Sequence, residues 1–263
     1  MIKKAELTNF LDNYFRPYEE LANSREMLRN GLQIDGKETV SKIGLGVSAS
    51  LEFFEKAKEE NCDFLITHHS LSFPDPVEFK NTYPEYFEKR LKFLYKNEMS
   101  LAGYHFMLDH HPEIGNNAWV LKELGANLQG NVIDKWGWFG TLLKPTNLPE
   151  ILEKCEKIYS HKPFVAGVLG DRTISTIAVV SGSGSLDSRV SSHLREFIDN
   201  KIELEIVGDM RESHPALAKE LGITISAFGH YNTEVIGVRN LGQVIKSEFK
   251  SLEVIFVDVP NLL

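Results

Sequence analysis

Residues 64–73 of the chain read FLITHHSLSF, and this stretch decides the expected fold. A short apolar run, Phe64 to Ile66, is followed almost at once by two adjacent histidines, His68 and His69. A short apolar run bounded by polar residues is typical of a buried strand in an α/β protein. Two imidazoles at the end of such a strand indicate that a cation binds beyond it, so the rest of the chain must supply the other ligands.

Short predicted strands alternate with amphipathic helices on both sides of this stretch. In the first half, the pattern predicts helices at 4–15, 51–60, 83–97 and 117–124, and strands at 42–48, 62–67 and 99–104. In the second half, it predicts strands at 174–181, 204–207, 223–227 and 252–257, and helices at 186–200, 214–221 and 232–249. The predicted fold class is α/β, with mixed sheets flanked by helices.

The two halves of the sequence also repeat short motifs. VSAS at 47–50 and VSGS at 180–183 each lead into a helix and then a strand. Later in each half, a histidine is followed four positions on by a carboxylate, and these pairs are His105 with Asp109 and His230 with Glu234. We therefore predict a duplicated α/β unit, with halves at 1–128 and 129–263. Residues 223–263 would return a His and a Glu to a shared metal site, although chance similarity of short βα units is an alternative.

Composition limits the classes of protein that fit. The 263 residues are 42% hydrophobic and 25% charged, which is enough for a substantial core. The formal net charge of −8 argues against a uniformly basic surface for nucleic acid. The N-terminal residues lack an apolar signal region and no long apolar run follows, so we expect a cytoplasmic protein with no membrane span. Two distant cysteines, Cys62 and Cys155, predict neither a disulfide framework nor a thiolate metal cluster.

Each group of candidate ligands has an ordinary explanation when it is taken alone. His230 and Glu234 lie four residues apart near a predicted helix start, where a carboxylate also stabilises the helix dipole. Adjacent strand residues point to opposite faces, so His68 and His69 would be one core and one exposed histidine unless the strand bends. YHFMLDHH at 104–111 reads as a loop in which His110 is exposed to solvent.

Taken together, these residues favour a metal site. Imidazoles and carboxylates suit Zn²⁺, Fe²⁺, Mn²⁺ or Ni²⁺ better than Ca²⁺. Bridging carboxylates with terminal histidines would hold two ions about 3.5–4 Å apart and leave positions for water. The residues in this set all follow predicted strands and are His68, His69, Asp109, His230 and Glu234.

Four ordered motifs, ITHHSLSF, YHFMLDHHPEIGNN, GHYNTEVIGV and the terminal VDVPN, resemble the Nif three-like family. Its members are named dinuclear-metal hexameric proteins or GTP cyclohydrolase 1 type 2 homologues. The resemblance extends from NGLQI at 30–34 to the last residues. It implies two divalent metal ions per subunit, bound by the five residues of this set. It also implies a toroidal homohexamer, a trimer of dimers, whose metal sites face an interior cavity.

Several positions depart from the family pattern without removing a ligand. Ser48 stands where members often have Asp, Gly208 and Asp209 stand where a Gly-Glu pair is frequent, and Met107 replaces a frequent Pro. The chain also lacks the domain that longer members insert between the halves. Residues 140–175 are enough for a strand, a helix and a turn.

The leading functional hypothesis is a dinuclear-metal-dependent hydrolase. A metal-bound hydroxide would attack a nucleotide-like, cyclic amide or phosphoester substrate, because two cations lower the pKa of a shared water towards about 7. His105 would orient a ligand or the substrate, and His111 is a weaker candidate for that role. The chain contains no P-loop, and SGSGS at 181–185 is either a phosphate cradle or a glycine-rich turn. The alternative is a non-catalytic, ring-forming metal scaffold or regulatory protein.

Overall fold

The computed structural model describes residues 1–19 and 28–261. The chain forms two compact units, of which the first comprises Met1–Leu108 with Val238–Val259 and the second comprises Asp109–Gly237 with Pro260–Leu263. Each unit contains its own mixed sheet, and the predicted α/β class is confirmed.

The described elements between residues 2 and 110 alternate strands with helices. In chain order they are β1 (Ile2–Lys3), α1 (Lys4–Phe15), β2 (Gly31–Ile34), β3 (Thr39–Val40), β4 (Lys42–Ser48), α2 (Leu51–Glu59), β5 (Phe64–His69), α3 (Glu85–Lys96), β6 (Ser100–Gly103) and α4 (Phe106–His110). Short 3-10 helices lie at Arg16–Tyr18 and Pro76–Phe79.

The remaining elements continue this alternation. They are α5 (Asn116–Glu123), β7 (Ala126–Val132), β8 (Gly137–Asn147), α6 (Leu148–Tyr159), β9 (Phe164–Gly167), β10 (Thr173–Val180), α7 (Ser191–Asp199), β11 (Leu204–Val207), α8 (His214–Leu221), β12 (Thr224–Ala227), α9 (His230–Glu248) and β13 (Glu253–Phe256).

The sheet of the first unit places β5 at its centre. Its order is β13-β4-β5-β6-β2, with the first four strands parallel and β2 antiparallel to β6. The apolar run of β5 is buried because Leu65 packs with Phe53 and Phe54 of α2 and with Phe87 of α3. Ser50 caps α2 by accepting a hydrogen bond from the Phe53 amide at 3.1 Å, which fixes where that helix begins.

The sheet of the second unit has a core on each face. Its order is β7-β8-β10-β11-β12-β9, with β10, β11 and β12 parallel and the other pairs antiparallel. Side chains alternate along a strand, so Ile177 and Val179 of β10 enter one apolar core while Ala178 and Val180 enter the other. A strand covered on both faces reads as the continuous apolar run that the sequence shows.

Both units contain the same topological core. Three parallel strands, β4-β5-β6 or β10-β11-β12, are followed in the sheet by an antiparallel edge partner that precedes them in the chain, β2 or β9. The compact units divide the chain differently from the halves 1–128 and 129–263, since residues 238–259 belong with the first unit. The origin of residues 1–128 and 129–263 by duplication therefore stays a prediction.

The observed bounds correct three local predictions. β5 runs to His69, so the histidine pair lies within the strand and not beyond a strand ending at Thr67. Residues 106–110, expected as a loop, form the short helix α4. The helix expected from Leu186 begins at Ser191, because the Asp187 carboxylate accepts the Arg189 amide at 2.9 Å and holds a turn before it.

No helix within residues 1–19 and 28–261 combines the length and apolar character that crossing a lipid bilayer requires.

Candidate metal centre

Three histidines of the first unit converge at the carboxyl ends of its strands. His68 and His69 end β5, and His105 follows β6 by two residues. The ring centroids are 5.0 Å apart for His68 and His69, 4.7 Å for His68 and His105, and 5.2 Å for His69 and His105. One ring nitrogen of each lies within 4.8 Å of the others. We refer to these three residues as the histidine cluster.

The end of β5 explains how adjacent histidines can approach each other. β6 pairs with β5 only as far as Thr67, whereas β4 continues to pair through Ser48 and His69. The two rings lie past the last β6 pair, and they converge instead of standing on opposite faces. His68 is fully buried and His69 is half-buried.

Two of these rings are held through Nδ1. His68 Nδ1 lies 3.1 Å from the Tyr104 carbonyl oxygen, which can only accept, so Nδ1 carries the hydrogen and Nε2 presents its lone pair. His69 Nδ1 lies 3.0 Å from Ser48 Oγ, the residue that stands where family members often have Asp. Fixing one nitrogen in this way leaves the other to serve as a metal ligand.

A second group of donors lies in the second unit and comprises Asp109 and the carboxylate cluster, by which we mean Asp209, His230 and Glu234. Asp109 is buried, and its Oδ1 accepts hydrogen bonds from Asn116 Nδ2 at 2.7 Å and Ser181 Oγ at 2.8 Å. These donors offset the cost of burying a carboxylate. Asn116 Oδ1 also accepts the Gly237 amide of α9 at 2.7 Å, so the same side chain holds Asp109 and the helix of Glu234.

His230 lies between two carboxylates at the start of α9. Its Nδ1 is 2.8 Å from Asp209 Oδ2, and its Nε2 is 3.2 Å from Oε1 of Glu234, one helical turn away. Hydrogen bonds to Asp209 and Glu234 raise the pKa of His230 to about 10, although burial opposes the shift. Glu234 itself is 3% exposed. The cluster therefore favours a positive charge at the position of His230 Nε2, and a metal ion would supply one there.

The glycine-rich stretch 181–185 forms a turn that closes on this cluster. Gly182 has a φ of +61°, and a Cβ on it would collide with Glu234 Oε1. The Gly182 amide donates to Thr233 Oγ1 at 3.0 Å, and the Ser181 amide donates to Asn117 Oδ1 at 2.7 Å. Because these amides are already used within the protein, the structure favours a glycine-rich turn over a phosphate cradle.

The other histidines around these clusters have structural partners. His110 is half-buried, with Nδ1 3.0 Å from the Lys135 carbonyl oxygen, so the expected full exposure is not observed. His111 Nδ1 accepts the amides of Glu113 and Ile114, and burial lowers the pKa of His111 to about 4. His214 is fully buried and accepts the Arg211 amide at 3.2 Å. Histidines that accept backbone amides in this way are neutral and hold turns.

The donor set fits divalent transition metals. Within the first unit, the histidine cluster offers three imidazoles that could hold a metal ion. Neutral imidazoles and buried carboxylates suit Zn²⁺, Fe²⁺, Mn²⁺ or Ni²⁺. His105, expected only to orient a ligand or substrate, thus belongs to the candidate ligands. Sequence reasoning gave no role to Asn116 or Asp209, and the only signal for Asp209 was its departure from a Gly-Glu pair.

Imidazole and carboxylate donors, held by hydrogen bonds at strand ends, define the class of this α/β protein as a candidate metalloprotein. The chain belongs to the Duf34/NIF3 (NGG1p interacting factor 3) family, whose model matches residues 2–261. This confirms the family predicted from the four motifs.

Relatives and solved structures agree over nearly the whole chain. A protein named GTP cyclohydrolase 1 type 2 homolog in Archaeoglobus fulgidus is 34% identical, covering 98% of this chain and 99% of that protein. A protein with the same name in Escherichia coli strain K12 is 33% identical, covering 88% and 90%. The structure of TTHA1606 from Thermus thermophilus matches with a TM-score of 0.83 at 30% identity and covers 100% of both chains. Reduced HcgD from Methanocaldococcus jannaschii matches with a TM-score of 0.81 at 28% identity, covering 98% of both.

Proposed function

We propose that this protein is a hydrolase that depends on two divalent metal ions, held by His68, His69, Asp109, His230 and Glu234. The observation that carries the proposal is that neighbouring groups already hold these side chains in fixed orientations. The histidines are held through Nδ1, and the two buried carboxylates are fixed by hydrogen bonds or by a helix turn. Metal ligands are typically oriented by such hydrogen bonds. Burying these charged groups lowers the stability of the folded protein when no metal is bound.

Two bound cations would supply a water of pKa near 7 and would stabilise negative charge on the substrate. The residues of the chain provide the rest. Burial of Asp109 and Glu234 keeps bulk water away from their carboxylates. His105 lies beside His68 and His69, and its backbone amide donates to Asn30 Oδ1 at 2.9 Å. This hydrogen bond holds the backbone of His105 in place. Its ring could then bind a metal ion or hold a substrate proton.

A cavity in the second unit supports a nucleotide-like or cyclic amide substrate. It has a volume of about 560 Å³ and is lined by Lys162, Phe164, Asp209 and Met210, among others. Phe164 is 64% exposed, so its ring offers an aromatic face to a planar group. Lys162 could pair with a phosphate or another anion. Asp209 lines this cavity and also contacts His230, which places the cavity next to a proposed ligand.

The test begins with the metal content of the purified protein. The protein is then loaded with Mn²⁺, Zn²⁺ or Fe²⁺ and screened against nucleotides, phosphoesters and cyclic amides. We expect about two ions per chain and turnover of at least one substrate class. Glu234→Ala should lower that turnover by at least about a hundredfold, because it removes a ligand.

The matched control is Glu248→Ala, which removes an exposed carboxylate from the end of the same helix and should keep full activity. Turnover that survives loss of Glu234 would assign the activity to a contaminant. Two bound ions with no turnover of any substrate would favour the metal scaffold instead.

A further inference from the structure

Asp209 is presented by a tightly packed loop. It follows β11 by two residues, and its amide donates to the Gly182 carbonyl at 2.9 Å. The Gly229 amide donates to the Gly208 carbonyl at 3.0 Å, which ties the loop to the start of α9. Gly208 packs so closely on Gly182 that a Cβ would overlap its backbone. The backbone of Asp209 is therefore fixed relative to His230.

The Nδ1 of His230 lies 2.8 Å from a carboxylate oxygen of Asp209, whereas the Nδ1 atoms of His68 and His69 lie 3.1 and 3.0 Å from a carbonyl and a hydroxyl oxygen. Hydrogen bonds to an ionised acceptor are shorter and stronger than those to a neutral one. The carboxylate keeps the hydrogen on Nδ1, so Nε2, which points towards Glu234, is the nitrogen left for a metal.

We propose that Asp209 is a positioning residue, which orients His230 and strengthens it as a metal ligand. The inference rests on the proposed function only in taking His230 as a metal ligand. A merely structural ion pair would stabilise the loop in the same way. It would not select the nitrogen that binds the metal, and this difference makes the two roles separable.

The experiment uses the full-length protein and measures zinc affinity by competition with a chromogenic chelator. Asp209→Asn keeps the size of the side chain but removes its charge, and its amide can donate to Nδ1 and move the imidazole hydrogen to Nε2. We expect this variant to bind zinc about 10- to 100-fold more weakly than the wild type. Asp209→Glu restores a carboxylate and should return the affinity to within a few-fold.

The matched control is Glu212→Gln, which removes an exposed negative charge from the same loop. We expect its zinc affinity to equal that of the wild type. If Asp209→Asn binds zinc as tightly as Glu212→Gln does, the inference is wrong, while the metal site remains supported. If the wild type binds none of Zn²⁺, Mn²⁺ and Fe²⁺, the proposed function fails as well.

Nitrogen NMR of the zinc-loaded wild type gives a readout that needs no variant. We expect the His230 hydrogen on Nδ1 and the metal on Nε2. A hydrogen on Nε2 would overturn the proposal, even if Asp209→Asn failed to fold.

Discussion

At the scale of single residues, the two clusters owe their geometry to neighbouring residues that do not themselves carry the chemistry. Asn116 holds Asp109 and α9, Ser48 and Tyr104 hold the first two histidines, and Gly182 leaves space for Glu234. The sequence could predict the donors because imidazoles and carboxylates after strands are a recognisable pattern. It could not predict the supports, because an Asn or a Gly acquires its role only from contacts distant in the chain.

Gly182→Ala tests the space that Gly182 provides. A methyl group there would collide with the Glu234 carboxylate, and the φ of +61° adds backbone strain. We expect the free energy of unfolding to fall by about 1–3 kcal/mol and the zinc affinity to fall at least about tenfold. Urea unfolding and chelator competition measure the two effects.

Gly222→Ala is a matched control for that variant, since Gly222 has a φ of +72° but open space around a Cβ. It should lose stability from strain alone and keep its zinc affinity. Equal zinc affinities for the two variants would contradict the role given to Gly182.

At the scale of secondary structure, the parallel strands and the helices between them were predictable, and the antiparallel edge strands were not. Strands 42–48 and 204–207 and helices 4–15 and 214–221 have the predicted bounds, because continuous apolar runs and clear amphipathic periods mark them. β7 was not predicted, because edge strands are half exposed and polar, as its sequence ANLQGNV shows. Such strands are defined by their hydrogen bonds to a neighbouring strand, and the hydrophobic periodicity of the sequence does not reveal these bonds.

The central strand β11 also carries a buried acid that should make stability depend on pH. Glu205 is fully buried, its Oε1 accepts the Leu186 amide at 2.7 Å, and burial raises the pKa of its carboxyl from 4.5 to about 8. Between these values the native state holds a proton that the unfolded chain has released. The free energy of unfolding should therefore decrease from about pH 4.5 to 8, by up to about 1.4 kcal/mol per pH unit from this group.

Glu205→Gln, which cannot titrate, should have a flatter stability profile in that window, as measured by urea unfolding across pH. Glu220→Gln removes an exposed carboxylate from α8 and should keep the wild-type slope. If Glu205→Gln kept that slope too, the pH dependence would come from other groups.

At the scale of the whole molecule, the family resemblance implies a homohexamer, and one surface of the chain agrees with self-association. Val168 and Leu169, which follow β9, are 37% and 60% exposed. β9 is an edge strand of its sheet among the described residues. Apolar side chains next to an open strand edge favour association with another chain.

Sedimentation analysis of the purified protein should therefore give a mass six times that of the chain, at salt concentrations that screen surface charges. Apolar contacts persist under those conditions, whereas a weak electrostatic association would dissociate. A monomer at micromolar concentration would contradict the expected assembly.

The position of His68 and His69 within β5 has a consequence for how such a protein can diversify. The hydrogen-bond ladder that positions these histidines is the same ladder that aligns the buried residues Leu65 and Ile66 in the sheet. Inserting or deleting one residue in this strand would move each following side chain to the opposite face of the sheet and displace both imidazoles together. Insertions and deletions that leave the twin histidines in place are therefore expected outside this register, for example in residues 70–84.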